Sequence, residues 1–281
     1  MVIVVASGKG GTGKTTVATN LVLNLASHRP VQFLDLDVEE PNAHIFLPPG
    51  DWQQIKVGKQ IPRVEYDRCT FCGLCAEVCA FNALVVLDDE VLLFPEMCHS
   101  CGACIHLCPT AAIFEEEREI GVVEQTEMDN ITFHHGKLNV GEVATPEVIA
   151  AVKEHLQADG ITIMDAPPGT SCSVIESVRG ADFCLLVTEP SPLGLSDLKL
   201  MVELLELLHL PAGMVINRYQ EGLDDVENFA REKGIPVLAR IPFDREIAAC
   251  YSEGRPFVKN LPEYAAVFDD LWNQIEGLVG R

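Results

Sequence analysis

Val2-Ile3-Val4-Val5-Ala6-Ser7-Gly8-Lys9-Gly10-Gly11-Thr12-Gly13-Lys14-Thr15-Thr16 is the stretch that decides the fold. Val2–Ala6 is an apolar run of strand character, and a helix is predicted from Thr15 to Ala26. Between them, Gly8 to Thr15 fits G-x-x-x-x-G-K-[ST], and a strand before and a helix after are the context of a phosphate-binding loop. Gly8, Gly10, Gly11 and Gly13 let the backbone curl so that successive N–H groups, through Thr12 and on to Thr16, face phosphate oxygens. The helix N-terminus adds partial positive charge. Lys14 is expected to reach the β and γ phosphates, and the Thr15 hydroxyl to bind Mg²⁺.

Further along, the same grammar repeats. Val31–Leu34, Ile161–Met164, Phe183–Val187, Met214–Ile216 and Val237–Ala239 are short apolar runs of the kind found in strands buried on both faces. Helical stretches alternate with them, notably Leu195–Leu208 (Leu198, Val202, Leu205 and Leu208 on one face) and Pro262–Leu278 (Ala266, Leu271 and Ile275). The alternation predicts an α/β fold, a doubly wound and mainly parallel sheet. Residues 116–145 are punctuated by Gly121, Asp129-Asn130 and His135-Gly136 and are expected to form a hairpin, with His134-His135 at a solvated tip. Cys184 and Cys250 are expected in the core.

The chain has 281 residues, 42 acidic and 20 basic side chains, and a net charge of -22. So acidic a surface argues against nucleic acid and against anionic membranes, both of which need clustered Lys and Arg. No run is long and apolar enough to span a bilayer, and no secretory leader is recognisable at residues 1–16. A C-terminal membrane anchor is rejected, because the polar face of the last helix carries Glu263, Asp269, Asp270 and Glu276. The expected location is cytoplasmic, where thiols stay reduced and eleven cysteines suggest metal ligands before disulfides.

Eight of those cysteines lie between Cys69 and Cys108. Cys69, Cys72, Cys75 and Cys79 give C-x2-C-x2-C-x3-C, and Cys98, Cys101, Cys104 and Cys108 repeat it before Pro109. This is the spacing of bacterial two-cluster ferredoxins, in which the fourth cysteine of each motif serves the other cluster. One [4Fe–4S] cluster is therefore assigned to Cys69, Cys72, Cys75 and Cys108, and the other to Cys98, Cys101, Cys104 and Cys79. Zinc knuckles would call for a longer gap between CxxC pairs. His99 and His106 are expected to pack beside the sulfurs and not to ligate. The predicted organisation is a nucleotide domain in two parts, 1–61 and 116–281, around a small α+β ferredoxin-like insert at 62–115.

Lys9-Gly10-Gly11-Thr12-Gly13-Lys14-Thr15 matches KGGxxGK[ST] in full. It resembles the deviant Walker A ATPases, which include MinD, ParA, Mrp-type iron–sulfur carriers and the nitrogenase iron protein. The whole chain looks like a MinD/Mrp-type ATPase with an inserted two-cluster ferredoxin. The resemblance implies an ATP-dependent homodimer in which Lys9 reaches the partner's nucleotide. It places Asp35-Leu36-Asp37 in switch I, with Asp37 on the attacking water and Asp35 on Mg²⁺-bound water; a turn and cap is the plainer alternative for this pair. Asp165 would take the Walker B role on Mg²⁺, and Gly169, after Pro167-Pro168, would contact the γ-phosphate from switch II. Asn217 and Arg218, with Pro242 and Asp244, would face adenine. Cys172, seven residues after Asp165, matches a cysteine that holds an interface cluster in the nitrogenase iron protein; a buried or redox-quiet thiol is the alternative.

The function this implies is ATP hydrolysis coupled to delivery of electrons or clusters in metallocofactor maturation, to a metalloprotein or cofactor-carrier client. An ATP-gated reductase and a MinD/ParA-like positioning ATPase with structural clusters are the alternatives.

Overall fold

The computed structural model describes residues 1–47 and 50–280. β1 (Val2–Ala6) enters the glycine loop and α1 (Lys14–Leu25) leaves it. β2 (Val31–Asp35) and a long β3 (Gln53–Val64) lead to the cysteine segment. That segment contains α2 (Leu74–Glu77), β4 (Leu84–Val86), β5 (Val91–Leu93) and α3 (Ala103–His106). β6 (Ile113–Met128) returns from it, and β7 (Ile131–Leu138), α4 (Thr145–Lys153), β8 (Thr162–Asp165) and α5 (Cys172–Val178) follow. Then come β9 (Phe183–Thr188), α6 (Pro192–Leu207), β10 (Ala212–Tyr219), α7 (Asp225–Lys233) and β11 (Val237–Pro242). α8 (Arg245–Ser252), α9 (Phe257–Asn260) and α10 (Ala265–Val279) close the chain.

Nine strands form one sheet in the order β11-β10-β9-β1-β8-β2-β7-β6-β3. Every pairing from β11 to β7 is parallel; β7–β6 and β6–β3 are antiparallel. The apolar runs are continuous because the parallel strands are covered on both faces. Ile3 and Val5 point into one core cluster with α1 and α10, while Val4 and Ala6 point into the other with α4 and α6. β9 divides in the same way, with Phe183, Leu185 and Val187 on one side and Cys184 and Leu186 on the other. Cys184 and Cys250 are both core residues.

Several sequence expectations change. The insert has no sharp edge at 62 or 115, because β3 and β6 run unbroken from the main sheet into the cysteine segment, paired from Gln53↔Gln125 to Val64↔Ile113. β3 escaped the sequence reading because its residues are largely polar and exposed. It is the sheet's edge strand, where Pro62 costs no ladder bond. The hairpin turns at Asp129-Asn130, but His134 and His135 lie inside β7 and are buried, not at a solvated tip. The sheet continues through β7 to β6 and β3, so the central position of β7 buries both faces at once. Leu208 lies just past the end of α6 and Ala266 in the first turn of α10; both are exposed, while Leu271 and Ile275 are core.

Candidate functional site

The glycine loop sits where β1 ends, beside the ends of β8 and β9, which is where open α/β sheets place ligands. Two glycines there are fixed by close approach. A Cβ on Gly8 would lie 2.1 Å from the Asp197 carbonyl oxygen of α6, and one on Gly13 would lie 2.1 Å from Nδ2 of Asn217. Gly13 also has φ 88°, a left-handed backbone that only glycine adopts freely. The loop borders a cleft of about 370 Å³, whose walls include Lys9, Lys14, Thr15, Asp37, Arg218 and Pro242. Thr16, Asn217 and Asp244 also line it.

The charged groups of this cleft are engaged with one another. Lys14 Nζ lies 2.8 Å from Asp165 Oδ1, with both side chains buried. The other carboxylate oxygen of Asp165, and the Thr12 hydroxyl, have no hydrogen-bond partner among the described residues. Asp35 is aligned with Asp165 across β2 and β8. Its two oxygens accept from the backbone N–H groups of Asp37 and Ala43. Asp35 thus ties down the loop after β2, which is the plainer of its two sequence readings. Burial, and then the charge of Asp165, push its carboxyl up to about 7. Burial likewise raises Asp37, which lines the cleft, to about 6.

Lys9 does not project freely from the loop. Its Nζ donates to Glu189 Oε1 at 2.5 Å, and Arg218 donates to Glu189 Oε2 at 2.8 Å. Burial pushes Glu189 up, but hydrogen bonds from Lys9, Ser191 and Arg218 outweigh it and hold the carboxyl below its ordinary range. Sequence reasoning missed Glu189, although its place immediately after β9 is a crevice position. Asn217 Nδ2 donates to the Thr12 carbonyl at 2.8 Å, so it braces the loop. Asp244 caps α8 through the Glu246 N–H and accepts from the Tyr264 hydroxyl. The Gly169 N–H donates to the Ser7 carbonyl, with φ 95°.

The cysteine segment forms a second site. Cys69, Cys72, Cys75 and Cys108 line one cavity. Cys79, Cys98, Cys101 and Cys104 line another. Its backbone repeats in step with its cysteines. Phe71 and Ser100 share φ 51°, Gly73 and Gly102 are left-handed before α2 and α3, and Asn82 and Ala111 are left-handed after the fourth cysteines. These turns aim amides at sulfur: Phe71 N to Cys69, Ser100 N to Cys98, Ala83 N to Cys79 and Ala112 N to Cys108, at 3.2–3.5 Å. Burial, then the neighbouring thiol Cys98, pushes Cys104 up to about 11. Among the described residues, no three His, Cys, Asp or Glu side chains converge as they would on a single ion. His99 stacks on Phe81 with ring centroids 3.7 Å apart, and His106 lies beside Gly102.

Cys172 is exposed at the start of α5, not buried. It opens onto a cleft that it shares with Cys98 and His99. Among the described residues, no helix is long and apolar enough to cross a membrane.

A strand, a glycine loop with two lysines, and acidic residues ending the neighbouring strands define a P-loop nucleotide-binding α/β protein. The structure is similar to MinD from Pyrococcus horikoshii solved with Mg-ADP, with a TM-score of 0.63, 23% identity, and coverage of 99% of this chain and 97% of that one. Residues 3–257 match the CobQ/CobB/MinD/ParA nucleotide binding domain, and the chain belongs to that family. An uncharacterized protein of Methanocaldococcus jannaschii is 31% identical, over 98% of this chain and 95% of its own length. The cytosolic Fe-S cluster assembly factor NUBP2 of Gallus gallus is 24% identical, over 94% of this chain and 87% of its own.

Proposed function

We propose that this chain is an ATP-hydrolysing, dimerising iron–sulfur protein that couples its nucleotide state to the delivery of electrons or clusters in metallocofactor maturation. One observation carries the reading: eight cysteines stand four by four around two cavities, with the fourth of each motif crossing to the other's group. The donor set suits [4Fe–4S] clusters, because thiolates spread around a cavity and braced by amide N–H groups match a cube with one ligand at each corner. Cys69, Cys72, Cys75 and Cys108 would hold one, and Cys98, Cys101, Cys104 and Cys79 the other. Bound there, the clusters supply one-electron storage. The similarity to NUBP2 supports the iron–sulfur side of the reading.

At the nucleotide cleft, the residues would exchange partners. ATP phosphates would take Lys14 from Asp165, and Asp165, with one oxygen unpartnered in a buried site, would turn to Mg²⁺ together with the Thr15 hydroxyl. Amides from Gly8 to Thr16 would cradle the phosphates. Asp37 would orient the attacking water, while Asp35 holds the loop behind it. The Gly169 amide would leave the Ser7 carbonyl for the γ-phosphate and carry switch II with it. Asn217, Arg218, Pro242 and Asp244 would flank the base. Lys9 would leave Glu189 for the nucleotide of a second copy, so ATP would favour the homodimer. The client would be a metalloprotein or cofactor carrier presenting a basic face to a chain of net charge -22. An ATP-gated reductase is the second reading, favoured by the cleft that joins Cys98 to Cys172 of switch II.

Anaerobically prepared protein tests the proposal. It should carry about eight irons per chain from two cubes. ATP turnover should require Lys9, with Lys9→Ala binding ATP but not hydrolysing it. Zinc in place of iron in an anaerobic preparation, or wild-type hydrolysis by Lys9→Ala, would overturn it.

A further inference from the structure

The two halves of the cysteine segment match in backbone but differ in charge. Each cavity receives two amide-to-sulfur bonds from equivalent turns: Phe71 and Ala112 around one, Ser100 and Ala83 around the other. The first adds only a neutral contact, 3.7 Å between Cys108 Sγ and the Thr110 hydroxyl. Among the described residues, no charged side chain lines that cavity. Lys59 does not line the second cavity, but it reaches the rim at Cys98 from the cleft on the other side. It lies on β3, is 7% exposed, and donates from Nζ to the Cys98 carbonyl at 3.2 Å. Its strand neighbours Lys56 and Arg63 have carboxylate partners in Glu119 and Glu116, whereas Lys59 forms no ion pair among the described residues. Glu96, half-buried, and Glu147, exposed, line the same cleft as Lys59 but form no ion pair with it, and a buried ammonium left without a paired counter-ion favours further negative charge close by. Glu115 lines the second cavity, but it is exposed and its charge is screened by water.

We infer that Lys59 is the countercharge of the second cluster, the one held by Cys79, Cys98, Cys101 and Cys104. It holds that cluster's potential above the first's, so electrons collect on the half facing switch II. The inference rests on the iron–sulfur reading above. Cluster potential follows net charge, hydrogen bonds to sulfur and exposure. The amide bonds of the two halves balance, so the buried charge decides the order. A reduced one-electron carrier would fill the first cluster. One electron then leaves the first and joins the second, with no bond made or broken and no proton moved. From there it has an outlet. Lys59, Cys98 and His99 share a cleft of about 550 Å³ with Ser171, Cys172 and Ser173 of switch II. An oxidised metal centre docked in that cleft would accept the electron. Nucleotide-driven movement of α5 would open or close the outlet.

The test is an anaerobic redox titration of the full-length protein, followed by electron paramagnetic resonance. Cys72→Ser and Cys101→Ser assign the signals, because each perturbs only its own cluster. In the wild type, the signal perturbed by Cys101→Ser should titrate at the higher potential. Lys59→Gln keeps a donor for the Cys98 carbonyl but removes the charge; it should lower the second cluster's midpoint and leave the first's in place. Lys59→Arg should restore the order. Equal lowering of both midpoints, an unmoved second midpoint in Lys59→Gln, or a higher midpoint for the first cluster in the wild type would each overturn the inference. Those results, obtained with both clusters present, leave the iron–sulfur reading standing. Wild-type protein without iron would instead overturn that reading.

Discussion

The nucleotide cleft and the cysteine segment are assembled in opposite ways. The cleft draws Lys14, Asp35, Asp165, Glu189 and Asn217 from five different strand or helix ends, and most of their polar atoms already have partners within the protein, Lys14 with Asp165 and Glu189 with Lys9 and Arg218 among them. In the cysteine segment the eight thiols come from one local stretch, Cys69 to Cys108, and the sulfurs of Cys69, Cys79, Cys98 and Cys108 accept from backbone N–H groups. A site made of mutually satisfied charges must exchange partners to bind anything, so binding there moves the protein. Local turns can hold a ligand without moving anything else. On the function proposed above, the cleft would be the switching region and the cysteine segment the constant one.

Lys14→Ala tests that separation most severely. On the proposed function it should lower ATP turnover by roughly 100-fold or more, since it removes the charge that would meet the transferred phosphoryl group. The visible and paramagnetic signatures of the clusters should remain. Loss of both together would mean that the two regions do not act separately. Gly8→Ala comes next. Its Cβ would meet the Asp197 carbonyl at 2.1 Å, and backbone cannot yield as a flexible side chain does. A stability loss of about 2 kcal/mol or more is expected, read as a lower urea midpoint, again with the cysteine segment's spectra intact.

The same contrast explains what the sequence disclosed. The P-loop, the strands buried on both faces and both cysteine motifs were legible because each is encoded in consecutive or regularly spaced residues. The pairing across the two cavities follows from spacing as well. Glu189 and Lys59 were not legible, because their meaning lies in what they face: Glu189 meets Lys9 across 180 residues, and Lys59 meets the Cys98 carbonyl across 39. β3 was hidden for another reason. An edge strand exposed along most of its length has no apolar signature, and His134 and His135 looked solvated because His135-Gly136 reads as hairpin punctuation, whereas the turn is at Asp129-Asn130.

Asp35 offers a pH test of the satisfied cleft. Burial raises its folded-state pKa from 3.8 to about 7, so the folded protein holds this proton more tightly than the unfolded chain. Its contribution to stability is complete below pH 4 and is lost as pH rises towards 7. A tenfold difference in proton affinity is worth about 1.4 kcal/mol, so the stability lost across the measurable range is on the order of 1 kcal/mol per pH step. The urea midpoint of the nucleotide-free protein should fall between pH 5 and 7.5 more steeply than that of Asp35→Asn. Parallel curves would show that Asp35 is ionised throughout and that its two amide bonds outweigh its burial.

The smallest effect concerns the pair that holds the cleft in its present state. Glu189 carries Lys9 on one oxygen and Arg218 on the other, with Lys9 and Glu189 both mostly shielded from water. If Lys9 serves a second copy's nucleotide, this grip opposes dimerisation, and ATP must supply the difference. Glu189→Gln removes the charge but keeps the shape and an acceptor oxygen. A partly buried pair of this kind is worth about 0.5 kcal/mol, and a homodimer opens two of them, so the ATP-dependent dimer should form at a roughly five-fold lower protein concentration, measured by analytical ultracentrifugation with a non-hydrolysable analogue. Double substitution with Lys9→Ala should cancel the gain, because no lysine is then released. Dimerisation unchanged or weakened by Glu189→Gln would mean that Glu189 positions Lys9 for its task and does not restrain it, and the cleft's satisfied charges would then be a ready state and not a resting one.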